Sequence, residues 1–395
     1  MGRTRQMKTA LWIALRTLQI FFSGMIGGVS IQPSFAADDF AACQQSWARA
    51  LIDIRSSGTE PHDYETWGPI GQIATYCPHH PELIETLFSV LNDETCREDW
   101  DQAMQWIAQA VHYGVKLSKP QVESLVKILP KLPVYHRDGC LSLLGGQKDN
   151  AEIAITAVRP YLANEKATLS TIAAAAVLRL SPTDPEAQKV LLNVATSPTI
   201  KDRRCATRRM GRSGVDTPQF REALRVAMKD SDSGVRVLSA CSLWEITKST
   251  DESLPVLKVS LADESVQIDC NTVMYPSATY PSQHLSTINC LGEMAITEPG
   301  AKQLLEDIAM KRIAVGDEWP QISQTLISAH GKVKYGEMSF EEAAIRTALA
   351  DDGVFSEIAK QRFSKRTTVE LEETLKLFEA FRKQEALWSE ASQLP

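Results

Sequence analysis

Between Leu169 and Leu257 similar residues return every 33 positions. A chain that repeats itself at such an interval is confined to architectures in which one supersecondary unit stacks on the next. One unit reads Val235, Arg236, Leu243 and, past a turn, Leu257; 33 positions earlier stand Asp202, Arg203, Met210 and Leu224, and 33 earlier again Leu169, Ser170, Val177 and Leu191. Asp202 replaces an apolar anchor and Ser170 an arginine, but the small residues Ser239, Ala206 and Ala173 keep the register. Helices that pack closely need small residues at a fixed place. The breaks keep register as well, because Asp184-Pro185 and Thr217-Pro218 each set a capping residue before a proline at the first helical position. Each unit is therefore predicted to be a helical hairpin. Residues 285–308 fit a fourth unit, with Leu291, Met294 and Leu305 lying 48 positions beyond Leu243, Ile246 and Leu257. The surplus over 33 requires an insertion, placed at 266–284.

The flanks carry the same helical period. Phe40, Cys43, Trp47, Leu51 and Ile54 fall at steps of three and four, as do Trp100, Ala103, Trp106, Ile107, Ala110 and Val111, and again Val122, Leu125, Val126 and Leu129. Toward the C-terminus Ser339-x-x-Glu342 and Thr367-x-x-Glu370 read as capping boxes. Leu371, Leu375, Phe378, Phe381 and Trp388 then stripe a long last helix, predicted to cap the exposed end of the array. Patterns of period two are nearly absent. The predicted fold class is all-α, an α-solenoid of helical hairpins, with an N-terminal helical region at 37–164, repeats at 165–310 and a C-terminal helical cap at 311–395.

The segment Asp232-Ser233-Gly234-Val235-Arg236-Val237-Leu238-Ser239-Ala240-Cys241-Ser242-Leu243 resembles the HEAT-repeat family: an aspartate, then Val-Arg, then small and apolar positions on one helix, followed by a second helix. Ser239 stands where alanine is usual. The resemblance is good in this unit, degraded in the two before it and faint outside 165–310. It implies a curved superhelix with a concave binding surface and a scaffold or adaptor role, without naming a partner. Some families with short HEAT-like repeats are bilin lyases, so the resemblance leaves an enzyme open.

At the N-terminus Arg3, Arg5, Lys8 and Arg16 precede an uncharged stretch whose apolar part runs from Leu18 to Ile31, followed by Ser34-Phe35-Ala36. That order is the order of a secretory signal, residues 1–36, with cleavage after Ala36 or Ala37. A retained membrane anchor is the rival reading, weakened by three glycines, Gln19, Gln32 and Pro33. Residues 1–36 hold four basic and no acidic side chains, so their removal takes the formal net charge from −7 to −11. Such a balance argues against binding a nucleic-acid backbone. Absence of an Asn-x-Ser/Thr sequon fits a bacterial periplasm; the localisation predicted is periplasmic or secreted.

Export places eight cysteines in an oxidising compartment. Eight allow 105 connectivities, but in a solenoid neighbours in sequence are neighbours in space. Pairing in chain order is predicted: Cys43 with Cys77, Cys96 with Cys140, Cys205 with Cys241, and Cys270 with Cys290. The alternative for Cys205 and Cys241 is that both are small core residues.

Three constellations are candidates for function. In the basic cluster Lys201, Arg203, Arg204, Arg208, Arg209 and Arg212, the residues Arg204, Arg208 and Arg212 share one helical face and are predicted to grip an acidic or phosphate-bearing protein partner. The bland alternative is a solvated face paired with acids of the next repeat. Tyr275 and Tyr280 in the insertion are predicted to add apolar recognition, or else to pack as a lid. Cys77-Pro78-His79-His80, with His62, holds metal-ligand atom types at a spacing that matches no established zinc pattern. The common nucleophile, zinc-helix and phosphate-loop signatures are missing. The reading is a protein-binding scaffold with no catalytic residue, metal or cofactor assigned; a metal- or cofactor-handling protein using the Cys/His cluster is the alternative.

Overall fold

The computed structural model describes residues 39–56, 64–263, 268, 282–311, 319–336, 338–350 and 353–392. Among them the chain forms nineteen α-helices and no β-strand. In chain order they are Asp39–Ser56 (α1), Tyr64–Tyr76 (α2), Leu83–Asn92 (α3), Trp100–His112 (α4), Lys119–Ile128 (α5), Val134–Leu144 (α6), Ala151–Val158 (α7), Ala167–Leu180 (α8), Pro185–Ala195 (α9) and Ile200–Ser213 (α10). There follow Pro218–Ala227 (α11), Ser233–Thr247 (α12), Ser253–Ser260 (α13), Gln283–Met294 (α14), Pro299–Ala309 (α15), Trp319–Tyr335 (α16), Phe340–Leu349 (α17), Val354–Arg362 (α18) and Thr368–Ser392 (α19). Residues 1–36, His62, Cys270, Tyr275 and Tyr280 lie outside the described residues, as does most of the insertion. No described helix is long and apolar enough to cross a membrane.

The repeat unit is the helical hairpin that the spacing predicts. Leu169, Val177 and Leu191, then Met210 and Leu224, then Val235, Leu243 and Leu257 are all buried, as are Leu291, Met294 and Leu305 of the fourth unit. The capping residues act as such: Asp184 accepts from the Ala187 N–H at 2.9 Å, Thr217 from Phe220 at 3.2 Å and Asp232 from Val235 at 2.8 Å. Each satisfies an otherwise orphaned donor of a first turn.

One polar device recurs at the repeat period. Arg203, at the start of α10, donates to the carbonyls of Ser197 and Pro198 behind it and to Asp230 of the following unit, with Nε 2.7 Å from Oδ2. Arg236, 33 residues later, donates to the carbonyls of Asp230 and Ser231 and to Asp263 at 2.6 Å. Each arginine thus ties the turn before its helix to the turn after its hairpin. This fixes the stacking of successive units and explains why the arginine stands at that place in the repeat.

Stacking produces two layers. Helices α2, α4, α6, α8, α10, α12, α14 and α16 pack serially, each on the next, while α1, α3, α5, α7, α9, α11, α13 and α15 contact their own layer much less. A two-layer array bends toward its closer-packed layer, so the first set is the inner one. Glycine permits that closeness: a Cβ on Gly292 of α14 would stand 2.6 Å from the Cβ of Ala329 on α16, and one on Gly331 2.5 Å from the Cβ of Ala343.

The last helix packs on the first helices of the described array, which corrects the expectation of a last helix covering an exposed end. Helix α19 packs on α1 and α2. Phe381 lies 5.3 Å from the ring of Trp47 and stacks on Tyr76 at 5.4 Å. The Cys77 thiol donates to the Phe381 carbonyl at 3.7 Å, and Glu385 accepts from the backbone N–H of His79 and pairs with its ring Nδ1. At the other side of α19, the buried Glu342 carboxylate of α17 is held by Arg346 and by Arg382, each at 3.0 Å. The final helix therefore bridges both ends of the array.

Candidate functional site

The same register that sets the core also lines up polar residues. Arg179 of α8, Arg212 of α10, Glu245 of α12 and Glu293 of α14 are separated by 33, 33 and 48 residues, so they occupy one position in four successive inner helices. Lys332 of α16 extends the line, its Nζ 2.5 Å from Glu293 Oε1. A second line, one turn away, runs through Arg208, Cys241 and Asn289 at the same spacings. Together these make a charged ridge along the C-terminal halves of the inner helices, basic at one end and mixed at the other. Between α14 and α16 it holds a small pocket of about 130 Å³ lined by Asn289, Glu293, Ser328, Lys332 and Met338 among others.

At the basic end the electrostatics are unfavourable as they stand. Arg179 is largely buried; one Nη donates to the Ser142 carbonyl at 3.2 Å, but its Nε is buried without a hydrogen bond. Burial first, and then the like charges of Arg209 and Arg212, push its guanidinium down to about 10. Glu245 lies over Gly211 and is the carboxylate that faces this cluster. Burial raises its pKa and Glu293 adds to the rise, while Arg212, Arg208 and Lys248 hold it back. Arginines thus gather at one end of the ridge, with Glu245 facing them and Glu293 beyond it paired with Lys332.

The residues singled out in the sequence divide. Arg208 and Arg212 lie on the ridge, but Arg204 does not: it is 8% exposed, and its Nε and Nη2 donate to Asp232 at 2.8 and 2.7 Å. Four residues separate it from Arg208 on one helical face, yet Arg204 is drawn to Asp232, the cap of α12. Arg203 is equally committed to Asp230. Arg204 and Arg203 therefore follow the bland reading of the cluster, pairing with acids of the next repeat. Arg179, Glu245 and Glu293 were missed, although stepping the 33- and 48-residue register through polar as well as apolar positions picks them out.

Among the described cysteines, the pairs predicted in chain order that can be seen whole, Cys96 with Cys140 and Cys205 with Cys241, are not bridged. Cys205 packs against Leu238, its own register mate 33 residues on, and Ile268, whereas Cys241 sits three residues further along α12, half-buried on the ridge. The Cys140 thiol donates to the Leu125 carbonyl at 3.7 Å and burial pushes its pKa up to about 12; Cys96 lies beside Thr95. Cys43 is on α1, with its side chain outside the described ones. The described cysteines 77, 96, 140, 205, 241 and 290 are thiols in this structure. Cys77, His79 and His80 take part in closing the array, His80 through an edge-on contact with Trp388 at 4.8 Å. Among the described residues no group of three or more Cys, His, Asp or Glu side chains is placed to hold a metal ion.

No protein-family model matches the chain. No curated protein matches it either. Among solved structures it is similar to one described as an engineered protein, over 86% of this chain and 99% of that one, at 15% identity and a TM-score of 0.32.

Proposed function

We propose that this protein is a HEAT-like interaction scaffold whose inner ridge holds an acidic segment of a protein partner. One observation carries the reading: Arg179, half-buried on the ridge, keeps a buried Nε without a hydrogen bond, and Arg212 occupies the equivalent position on the next inner helix. A carboxylate delivered by a partner would accept from the donors of Arg179 and Arg212 in the charge-assisted geometry that guanidinium favours. The Asp–Arg ties between successive units support the HEAT-like reading, and the secretory-type leader supports a place outside the cytoplasm. A nucleic acid fits less well, because its continuous backbone charge would meet Glu245 and Glu293 within the same ridge and a net acidic chain around it.

A fluorescent oligoglutamate peptide tests this directly. Binding measured by anisotropy should weaken with added salt and fall at least about tenfold on Arg212→Glu, while an oligolysine peptide of equal length should not bind. Equal binding of oligoglutamate by the wild type and by the Arg212→Glu variant would remove the ridge from the account.

A further inference from the structure

We infer that the ridge reads the order of charge in its partner, an extended segment that presents an acid to Arg179, an acid to Arg212 and, about three residues on, a lysine or arginine to Glu245. The inference rests on the reading of the ridge as the place where an acidic partner segment binds, and adds to it a register and a change of sign. Arg179, Arg212 and Glu245 each lie in the last turn of an inner helix, α8, α10 and α12, at steps of 33 residues. Those helices pack directly, α8 on α10 and α10 on α12. Arg212 is exposed and the other two are half-buried. Glu245 decides the sign. Its carboxylate lies over Gly211 of α10, where a Cβ would stand 2.3 Å from Oε2, so the glycine leaves the space that the acid fills at the ridge. A carboxylate in the last turn of a helix stands at the negative end of its dipole. Burial raises the Glu245 pKa, against the attraction of Arg212, Arg208 and Lys248, and among the described residues no arginine or lysine closes an ion pair with it. At the next position Glu293 is already joined to Lys332, which leaves Glu245 as the acid for a partner's cation.

The spacing follows from helix packing. Axes of packed helices stand about 8–10 Å apart. A polyproline-II segment rises about 3.1 Å per residue with about three residues per turn, so every third side chain points the same way about 9 Å further on. A β-strand turns successive side chains to opposite faces, and side chains three apart on it would point away from each other. The partner pattern is therefore acid-x-x-acid-x-x-base, in a conformation that unfolded segments already favour. Complementary charge of this kind fixes register and turns away wrong partners. A segment that stays negative through the third position sets like charges together at Glu245.

The experiment compares two fluorescent peptides on the full chain by anisotropy, Glu-Ser-Pro-Glu-Ser-Pro-Lys and Glu-Ser-Pro-Glu-Ser-Pro-Glu, both with blocked ends, and keeps oligoglutamate as the control for the ridge itself. The peptide ending in lysine should bind at least about fivefold more tightly. Glu245→Gln, whose helical circular dichroism should match the wild type, should level the two affinities, and Glu245→Lys should reverse them. Glu-Pro-Glu-Pro-Lys, which sets the same charges two residues apart, should bind at least about threefold more weakly than the first peptide. Equal affinity of the wild type for the first two peptides, a preference unchanged in Glu245→Gln, or a spacing of two that binds as well as a spacing of three overturns the inference. If oligoglutamate still binds and still depends on Arg212, the ridge stands and only its order of charge falls. Failure of every peptide to bind, oligoglutamate included, removes the ridge and the inference together.

Discussion

Arg179 shows at the scale of one residue how binding and stability pull apart. A buried guanidinium beside two others opposes folding, so Arg179→Met, which keeps the apolar stem and removes the charge, should leave stability unchanged or raise it by about 1 kcal/mol while weakening oligoglutamate binding. Loss of more than about 2 kcal/mol in urea unfolding would make the residue a structural one instead. Asp232 is the opposite case, because it caps α12 and receives Arg204. Asp232→Ala should cost about 3 kcal/mol, from a lost cap and an abandoned buried arginine. Burial raises the Asp232 pKa, but the Arg204 hydrogen bonds and the Val235 N–H more than offset it, and the carboxyl lies below its ordinary value. A depressed carboxylate contributes stability that is present above its unfolded pKa near 4 and lost as pH falls through the folded value. Acid unfolding below about pH 4 should therefore be less steep in Asp232→Asn. Of these two residues, Asp232 was legible as a cap before a helix. Arg179 was not, since its meaning depends on which charges face it from α10, and the sequence shows only that an arginine ends an alanine-rich helix.

Helices were the most legible elements, because the apolar period, the caps and the prolines agree at each boundary of the repeats. Less legible was which face of a helix meets which neighbour. Arg204 and Arg208 share a face by periodicity, but Arg204 is drawn to Asp232 before α12, whereas Arg208 is half-buried on the ridge. Cys205 and Cys241 likewise look like partners by chain distance, whereas register places Cys205 under Leu238. Close approach of the inner helices makes a prediction at this scale. Gly292→Val puts side-chain atoms where Ala329 stands, and should destabilise by about 2 kcal/mol through separation of α14 from α16, with loss of the small pocket between them. A compensating Ala329→Gly should recover part of that loss. No recovery in the double variant would mean that the two helices do not meet at this point.

For the molecule as a whole, the solenoid was readable from the 33-residue spacing, but its closure was not. Contacts more than 300 residues apart, such as Cys77 with Phe381 and His79 with Glu385, have no signature in a local pattern. Removal of residues 368–395 should expose Trp47 and Tyr76, lower the unfolding midpoint and raise the radius of gyration in small-angle scattering as the array opens. An unchanged radius would contradict the bridging role of α19. The central claim, that the ridge is where a partner binds, is best tested by placing a photo-crosslinking residue at Asn289 or Ser328 on the ridge, or at Val226, an exposed position of the outer helix α11, in the full-length protein in its own cells. The account predicts one crosslinked partner from Asn289 and Ser328, joined through a segment rich in aspartate and glutamate and lost on Arg212→Glu, with none from Val226. Crosslinks from Val226 and none from the ridge would contradict it.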